Sequence, residues 1–328
     1  MTNSSSDRPS EFALIAQLFA PLADAPGAFG LLDDAAVIAP RAGHELIVTT
    51  DAVVEGVHFL ADDPPELIAK KALRVNVSDL AAKGAEPLGY LLALSLPAHL
   101  SLEWLTAFAE GLRQDQRTFA MSLLGGDTTA TPGPLSIAIT AFGHVPVGQM
   151  IRRRGARVGD SVFVSGTVGD SGAGLDLLRG PRDCSHAVRD FLVHRYHEPR
   201  PRVELGLALR GVANAGLDVS DGLLADLGHM ADASGVRIEI EAQRLPLSAA
   251  LQAMWGDDLQ ARIRAATAGD DYELVFTVAP SRADGVMRLA RNSTSISEIG
   301  RVVKGAGVVL LDDNGRAIST LKGGYTHF

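Results

Sequence analysis

The longest apolar run in this chain, residues 88–98, is only strand-sized and already carries Ser95 and Pro97. A membrane-spanning helix needs about 20 predominantly apolar residues, so no span is expected and the core must be gathered from many short elements. Strand-like runs occur at residues 45–50, 88–96, 121–124 and 136–142. Helix-like stretches lie between them at 66–83, opened by Pro64-Pro65 and closed by Gly84, and at 101–119, with Ser101 placed as N-cap. This alternation predicts an α/β (α+β) unit over residues 11–148. The basic, turn-rich segment 150–159 reads as a hinge. Beyond it come a strand at 161–164, a Gly-rich turn from Gly166 to Gly174 and a helix at 175–178. A helix at 222–234, strands at 236–240 and 272–278, a helix at 282–291 and a hairpin through Asp313-Asn314-Gly315 complete a second α/β unit over 149–328. The polar residues 1–10 lack the basic start and apolar centre of a signal peptide and read as a flexible tail.

Charge and cysteine content narrow the partners. The formal charge is −9, with no long Lys/Arg block, so the electrostatic footprint of a nucleic-acid binder is missing. The single cysteine, Cys184, forms neither an internal disulfide nor a thiolate metal cluster, and a reducing cytoplasm is the expected home. An acidic chain that handles phosphates needs a cation from outside its own side chains.

Six acidic clusters stand where the apolar segments are expected to stop: Asp33-Asp34, Thr49-Thr50-Asp51, Asp79, Gly125-Gly126-Asp127, Asp218-Val219-Ser220-Asp221 and Asp270-Asp271. Asp51 and Asp127 are expected to end strands, with Gly125 and Gly126 letting the backbone approach a ligand. Asn76, Asp79 and Lys83 are spaced to share one helix face. Any one of these acids fits a helix cap or an Asx turn equally well. Together, with no Cys or His ligand sets beside them, they favour hard, oxygen-ligated cations such as magnesium. The Gly166–Gly174 turn fits either a phosphate cradle at a helix N-terminus or an ordinary strand-to-helix connection, and it matches neither standard nucleotide fingerprint. Arg152-Arg153-Arg154 is a second candidate phosphate contact, although a solvated basic hinge explains it too. His58, seven residues after Asp51, is by spacing alone a structural histidine.

With these residues laid out, the chain resembles thiamine-monophosphate kinase from Glu11-Phe12 to the C-terminal Gly324-Tyr325-Thr326-His327-Phe328. The resemblance rests on Leu32-Asp-Asp-Ala-Ala36, Thr49-Thr-Asp-Ala-Val-Val-Glu-Gly-Val-His-Phe59, Val75-Asn-Val-Ser-Asp-Leu-Ala-Ala-Lys-Gly-Ala85, Gly125-Gly-Asp-Thr-Thr129, Asp218-Val-Ser-Asp-Gly222 and Gly269-Asp-Asp-Tyr-Glu-Leu274, in that order. It implies a two-domain fold like that of aminoimidazole ribonucleotide synthetase. A mixed-sheet N-terminal domain would bind ATP and magnesium and form a homodimer, followed by a C-terminal α/β domain. By position it also implies a metal shell of Asp34, Thr49, Thr50, Asp51, Asp79, Asp127, Asp218 and Asp221 for several Mg2+ ions. Gly126, Asp127, Arg153 and Ser220 would contact ATP, and His58, Asp270 and Tyr325 would contact thiamine monophosphate. Two positions depart from the family: Asp270 often stands as Glu, and relatives offer a Tyr for the nucleotide where this chain has Thr118-Phe119, leaving only the Phe119 ring for stacking.

No general base stands out, and a phosphate acceptor needs none. A phosphate monoester has a second pKa of about 6 and is largely dianionic at neutral pH. Magnesium-assisted in-line transfer of the γ-phosphoryl group of ATP to thiamine monophosphate, giving thiamine diphosphate, is the expected reaction. A selenophosphate synthetase would carry a reactive Cys near the N-terminus and a hydrogenase-maturation relative a C-terminal Cys; the chain has only Cys184. A non-catalytic binder of thiamine phosphates is the alternative from another class.

Overall fold

The computed structural model describes residues 9–180, 182–289, 294–318 and 324–325. Most of the proposed tail, residues 1–8, the end of the 282–291 helix and the last three residues of the C-terminal motif lie outside them. The chain divides into two compact units: one takes the chain up to Leu80 together with Glu86–Gly148, the other takes Ala81–Ala85 together with Gln149 onward.

In the first unit the order is α1 (Glu11–Leu14), β1 (His44–Val54), α2 (Pro65–Ala82), β2 (Glu86–Pro97), α3 (Leu102–Phe119), β3 (Ser122–Thr131) and β4 (Ser136–Pro146). Ser10 caps α1 by accepting the Ala13 N–H, and Ser101 caps α3 by accepting the Trp104 N–H at 3.1 Å. Helix α3 stops at Ala120, which takes a left-handed φ of 52° and returns its N–H to Gln116. The four strands form a mixed sheet in the order β1-β4-β2-β3, antiparallel except for β2 with β3. Strand β4 alternates buried and half-buried residues along its whole length, as a central strand with different environments on its two faces should.

Two expectations from the sequence are corrected here. Asp51 and Asp127 do not end strands: β1 continues to Val54 and β3 to Thr131. Polar residues are tolerated inside these strands because both are edges of the sheet and much of each is exposed. Gly126 is also explained without a ligand. A Cβ there would sit 1.9 Å from the Leu92 carbonyl oxygen, so the close pairing of β2 with β3 requires the missing side chain.

The second unit runs β5 (Ser161–Ser165), α4 (Asp170–Arg179), α5 (His186–His197), α6 (Val203–Ala208), β6 (Ala215–Asp218), α7 (Leu223–Ser234), β7 (Arg237–Glu241), α8 (Ala249–Trp255), α9 (Leu259–Thr267), β8 (Leu274–Val278), α10 (Ala283–Leu289), β9 (Ile296–Val303), β10 (Gly307–Leu311) and β11 (Ala317–Ile318). Its seven-stranded sheet has the order β11-β10-β7-β9-β5-β8-β6 and is parallel only between β10 and β7. Val162, Val164, Leu217, Val275 and Ile299 from the sheet meet Leu223, Leu227 and Met230 of α7 in the main core. The 313–315 hairpin joins β10 to β11. Helix α4 begins at Asp170, inside the Gly-rich stretch rather than after it. Strand β8 starts two residues later than the pattern predicts because Tyr272 has a left-handed φ of 51°. Helix α2 ends before Lys83, whose ammonium donates to the Gly216 carbonyl at 3.1 Å, so Lys83 does not extend the Asn76–Asp79 face.

Candidate functional site

In the first unit, alternation along β1 divides the candidate metal donors between two faces. Thr49 and Asp51 face α2, where the Thr49 hydroxyl donates to Asp79 and the Asp51 N–H donates to Asn76 Oδ1 at 3.1 Å. Asn76 is fully buried, and its amide is held by the Ala72 carbonyl at 3.0 Å. Thr50 points the other way, donating to the Ile139 carbonyl and accepting from Thr140, each at 3.1 Å.

On the Thr50 face lies a cavity of about 630 Å3. Its walls are apolar, including Phe19, Leu31, Leu91, Leu124 and Phe142, and Asp33, Asp34, Gly125, Gly126 and Asp127 complete its lining. Asp33 accepts the N–H of the next residue, Asp34, at 2.8 Å. Asp127 accepts the next N–H, that of Thr128, at 2.9 Å. Register places Asp127 opposite Ala93, Ala138 and Ala52 in turn, so β1 lies three strand spacings away, roughly 14 Å. Asp34 and Asp127 therefore share the cavity, while Thr49, Asp51 and Asp79 belong to the opposite face and edge. Phe119 does not line the cavity; its ring lies 5.9 Å from the Arg74 guanidinium carbon. The aromatic walls are Phe19 and Phe142.

His58 stands in the turn after β1, accepting the Val54 N–H on Nδ1 at 3.0 Å. That bond fixes the tautomer, leaving the proton on Nε2.

In the second unit three distant segments meet through their backbones. Ser220 O accepts the Asp270 N–H at 2.8 Å, Val219 O the Tyr272 N–H at 2.8 Å, and Asp221 O the Tyr325 N–H at 2.9 Å. Asp218, Ser220, Asp221, Asp270 and Tyr325 are thus neighbours, whereas Arg153 lies on the exposed 152–154 segment. Asp270 and Tyr272 both have positive φ, 68° and 51°, and the Tyr272 hydroxyl donates to Asp270 at 3.3 Å. Strain of this kind costs about 1–3 kcal/mol per residue and persists where surroundings enforce it.

Three buried acids stand in this part of the second unit: Asp271, which the sequence marks only as half of an acidic pair, and Glu273 and Asp226, which sequence reasoning misses. Glu273 is fully buried and accepts from Ser165 Oγ at 2.6 Å, Arg195 Nη2 at 2.9 Å and Arg202 Nε at 2.7 Å. Asp271, buried beside it, takes the Gly169 N–H at 2.6 Å, and burial pushes its carboxyl well above the ordinary range. Within the Gly-rich stretch the Gly169 and Ser171 N–H groups serve this internal carboxylate, while those of Gly166 and Val168 go to the Ser295 and Pro246 carbonyls. Asp226 of α7 accepts three backbone N–H groups from residues 220–222. Burial, then the nearby Asp218 and Asp221, push its carboxyl up to about 7. Only the Gly222-to-Asp226 spacing, one helical turn, could have signalled that role.

Among the described residues, no three carboxylate, imidazole or thiol groups converge closely enough to hold an ion unaided. Magnesium requires less: it keeps several waters and binds through one or two carboxylates plus phosphate oxygens. The oxygen donors Asp34 and Asp127 in the cavity, and Asp218 and Asp221 in the second unit, fit that chemistry.

Comparison with known proteins agrees with the fold and the motifs. Residues 32–145 match the family of AIR synthase related proteins, N-terminal domain, and residues 157–313 match the corresponding C-terminal domain. A thiamine-monophosphate kinase of Caulobacter vibrioides is 45% identical over 97% of this chain and 91% of its own length. The crystal structure of thiamine-monophosphate kinase from Stenotrophomonas maltophilia K279a superposes with a TM-score of 0.84 at 43% identity, covering 94% of this chain and 98% of that one. AaThiL complexed with AMPPCP and TMP superposes with a TM-score of 0.79 at 34% identity, covering 92% and 97%. The chain belongs to the thiamine-monophosphate kinases, within the family of AIR synthase related proteins.

Proposed function

We propose that this protein transfers the γ-phosphoryl group of ATP to thiamine monophosphate, giving ADP and thiamine diphosphate. The observation that carries the reading is the first unit's cavity, which joins apolar walls fit for a base to the carboxylates Asp34 and Asp127. The relative bound to AMPPCP and TMP supports the pairing of an adenine nucleotide with this acceptor.

In the first unit, Gly126 and Asp127 contact the nucleotide, and Asp34, Thr49, Thr50, Asp51, Asp79 and Asp127 supply metal donors. In the second, Asp218 and Asp221 supply further donors, with Arg153 and Ser220 as nucleotide contacts. His58, Asp270 and Tyr325 recognise the acceptor. Magnesium, when bound, supplies charge neutralisation between two polyanions that repel each other. The residues' own work is positional: the Asp79–Thr49 bond fixes a carboxylate orientation, and Asn76 fixes the backbone at Asp51. His58, with Nδ1 already accepting a backbone N–H, offers a donor at Nε2 rather than a base. Direct in-line attack by the phosphate oxygen then needs no deprotonation step.

The first unit is also the proposed dimerisation domain of a cytoplasmic homodimer. The sheet face carrying Thr50 leaves Leu46, Val48 and Leu91 exposed, an apolar patch suited to a second copy. No described helix is long and apolar enough to cross a membrane.

The test compares ADP formation with thiamine monophosphate and with thiamine at matched concentrations, with and without magnesium. Turnover confined to the phosphate and abolished by EDTA supports the reading. Equal ADP formation with both acceptors, or full activity in EDTA, refutes it.

A further inference from the structure

We propose that Asp226 is a positioning residue that fills an anion-binding cup at the start of α7, so that the loop at residues 218–222 presents its carboxylates to a cation instead of its N–H groups to a phosphate. The inference rests on reading Asp218 and Asp221 as metal donors. Successive backbone N–H groups at a helix N-terminus form a site that can take a phosphate or another anion. Here the N–H groups of Ser220, Asp221 and Gly222 all point at one oxygen, Asp226 Oδ2, at 3.0, 3.1 and 3.2 Å. Asp226 is 4% exposed, so this oxygen is shielded from water.

An ordinary helix cap acts from the residue before the helix and satisfies N–H groups within the first turn. Asp226 does the reverse, reaching back from the fourth helical position to N–H groups that precede the helix. Gly222 has a φ of 120°, and a Cβ on it would stand only 3.0–3.2 Å from the Thr267 and Ala268 backbone, so no side chain can do the work from the usual place. What depends on Asp226 is therefore the loop more than the helix. With these N–H groups turned inward, the polar side chains that the loop carries are the Asp218 and Asp221 carboxylates and the Ser220 hydroxyl, the oxygen donor type of a hard cation. The turn before α4 likewise gives its Gly169 N–H to an internal acid, Asp271, at 2.6 Å.

The test uses full-length, metal-free protein carrying Asp226→Asn, with Leu227→Ala as a control that weakens the α7 core through a fully buried neighbour. Amide exchange is followed by mass spectrometry on the peptide spanning 218–222, and Mn2+ binding, without nucleotide, by electron paramagnetic resonance. Asp226→Asn should speed exchange of that peptide at least tenfold and weaken Mn2+ binding at least fivefold, while Leu227→Ala does neither. Unchanged exchange and Mn2+ binding in Asp226→Asn would overturn the proposal, as would equal effects in Leu227→Ala. Wild-type protein that protects the loop yet binds no Mn2+ would overturn the cation half and, with it, the metal reading of Asp218 and Asp221. Failure of thiamine-monophosphate turnover alongside a protected loop and intact Mn2+ binding would instead refute the substrate and uphold the role of Asp226.

Discussion

Replacing Glu273 by Gln tests whether a buried ionic cluster holds the strained 270–272 backbone. The wild-type carboxylate is fully buried and is shared by Arg195, itself 3% exposed, and Arg202, with Ser165 as a further donor. The amide keeps the volume but removes the charge and turns an NH2 group toward guanidinium donors. Neutralising one side of a buried pair costs about 3–5 kcal/mol. Because the amide oxygen retains part of the bonding, about 3 kcal/mol is expected here. At about 2–4 °C per kcal/mol for a unit of this size, the melting transition should fall by roughly 6–12 °C. Circular dichroism melting of wild type, Glu273→Gln, Arg202→Met and the double variant provides the measurement. The double variant should lose at least about 1 kcal/mol less than the sum of the singles, since both remove one interaction. A Glu273→Gln protein melting within about 2 °C of wild type, or strict additivity, would refute the idea that this cluster holds the loop.

Gly126→Ala should cost about 1–3 kcal/mol and weaken ATP binding, because its Cβ meets the Leu92 carbonyl and must push β3 from β2; calorimetric titration with ATP would detect it. Thr49→Val, which removes the donor to Asp79, should lower kcat/KM roughly tenfold, within the range of a lost hydrogen bond to a charged group, and steady-state kinetics at saturating magnesium would show an unchanged rate if Asp79 needs no such support. Asp271 has a raised carboxyl pKa in the folded state, so its contribution to stability is present below the ordinary carboxylate range and is lost as pH rises through the raised value; the pH dependence of melting should be flatter in Asp271→Asn. Light scattering should give twice 34.5 kDa, and a fully active monomer would contradict the proposed dimer.

The first unit is largely legible in the sequence because its signals are local. Ser101, Gly84 and the Pro64-Pro65 pair mark helix limits within a residue or two of where α2 and α3 run. Strand limits are harder: β1 and β3 continue through Thr-Asp and Gly-Gly-Asp sequences because edge strands lose little when polar side chains meet water. In the second unit, the apolar pattern leaves helices α5, α6, α8 and α9 and strands β6 and β9 unmarked. The neighbourhood of Ser220, Asp270 and Tyr325 depends on backbone bonds spanning 50 residues or more, which no local pattern encodes. Glu273 and Asp226 look in sequence like surface acids, and Asp271 like half of a cation-binding pair. Their burial is decided by which arginines and N–H groups the fold delivers to them.

The most direct measurement of function follows a radiolabel placed on the γ-phosphoryl group of ATP. The purified protein is incubated with that ATP, magnesium and thiamine monophosphate, and the products are separated by chromatography. Direct transfer predicts label appearing in thiamine diphosphate in step with ADP, none of it when EDTA is present, and none in an acceptor when thiamine replaces the monophosphate. Label released as inorganic phosphate with no labelled thiamine diphosphate would contradict the proposed reaction.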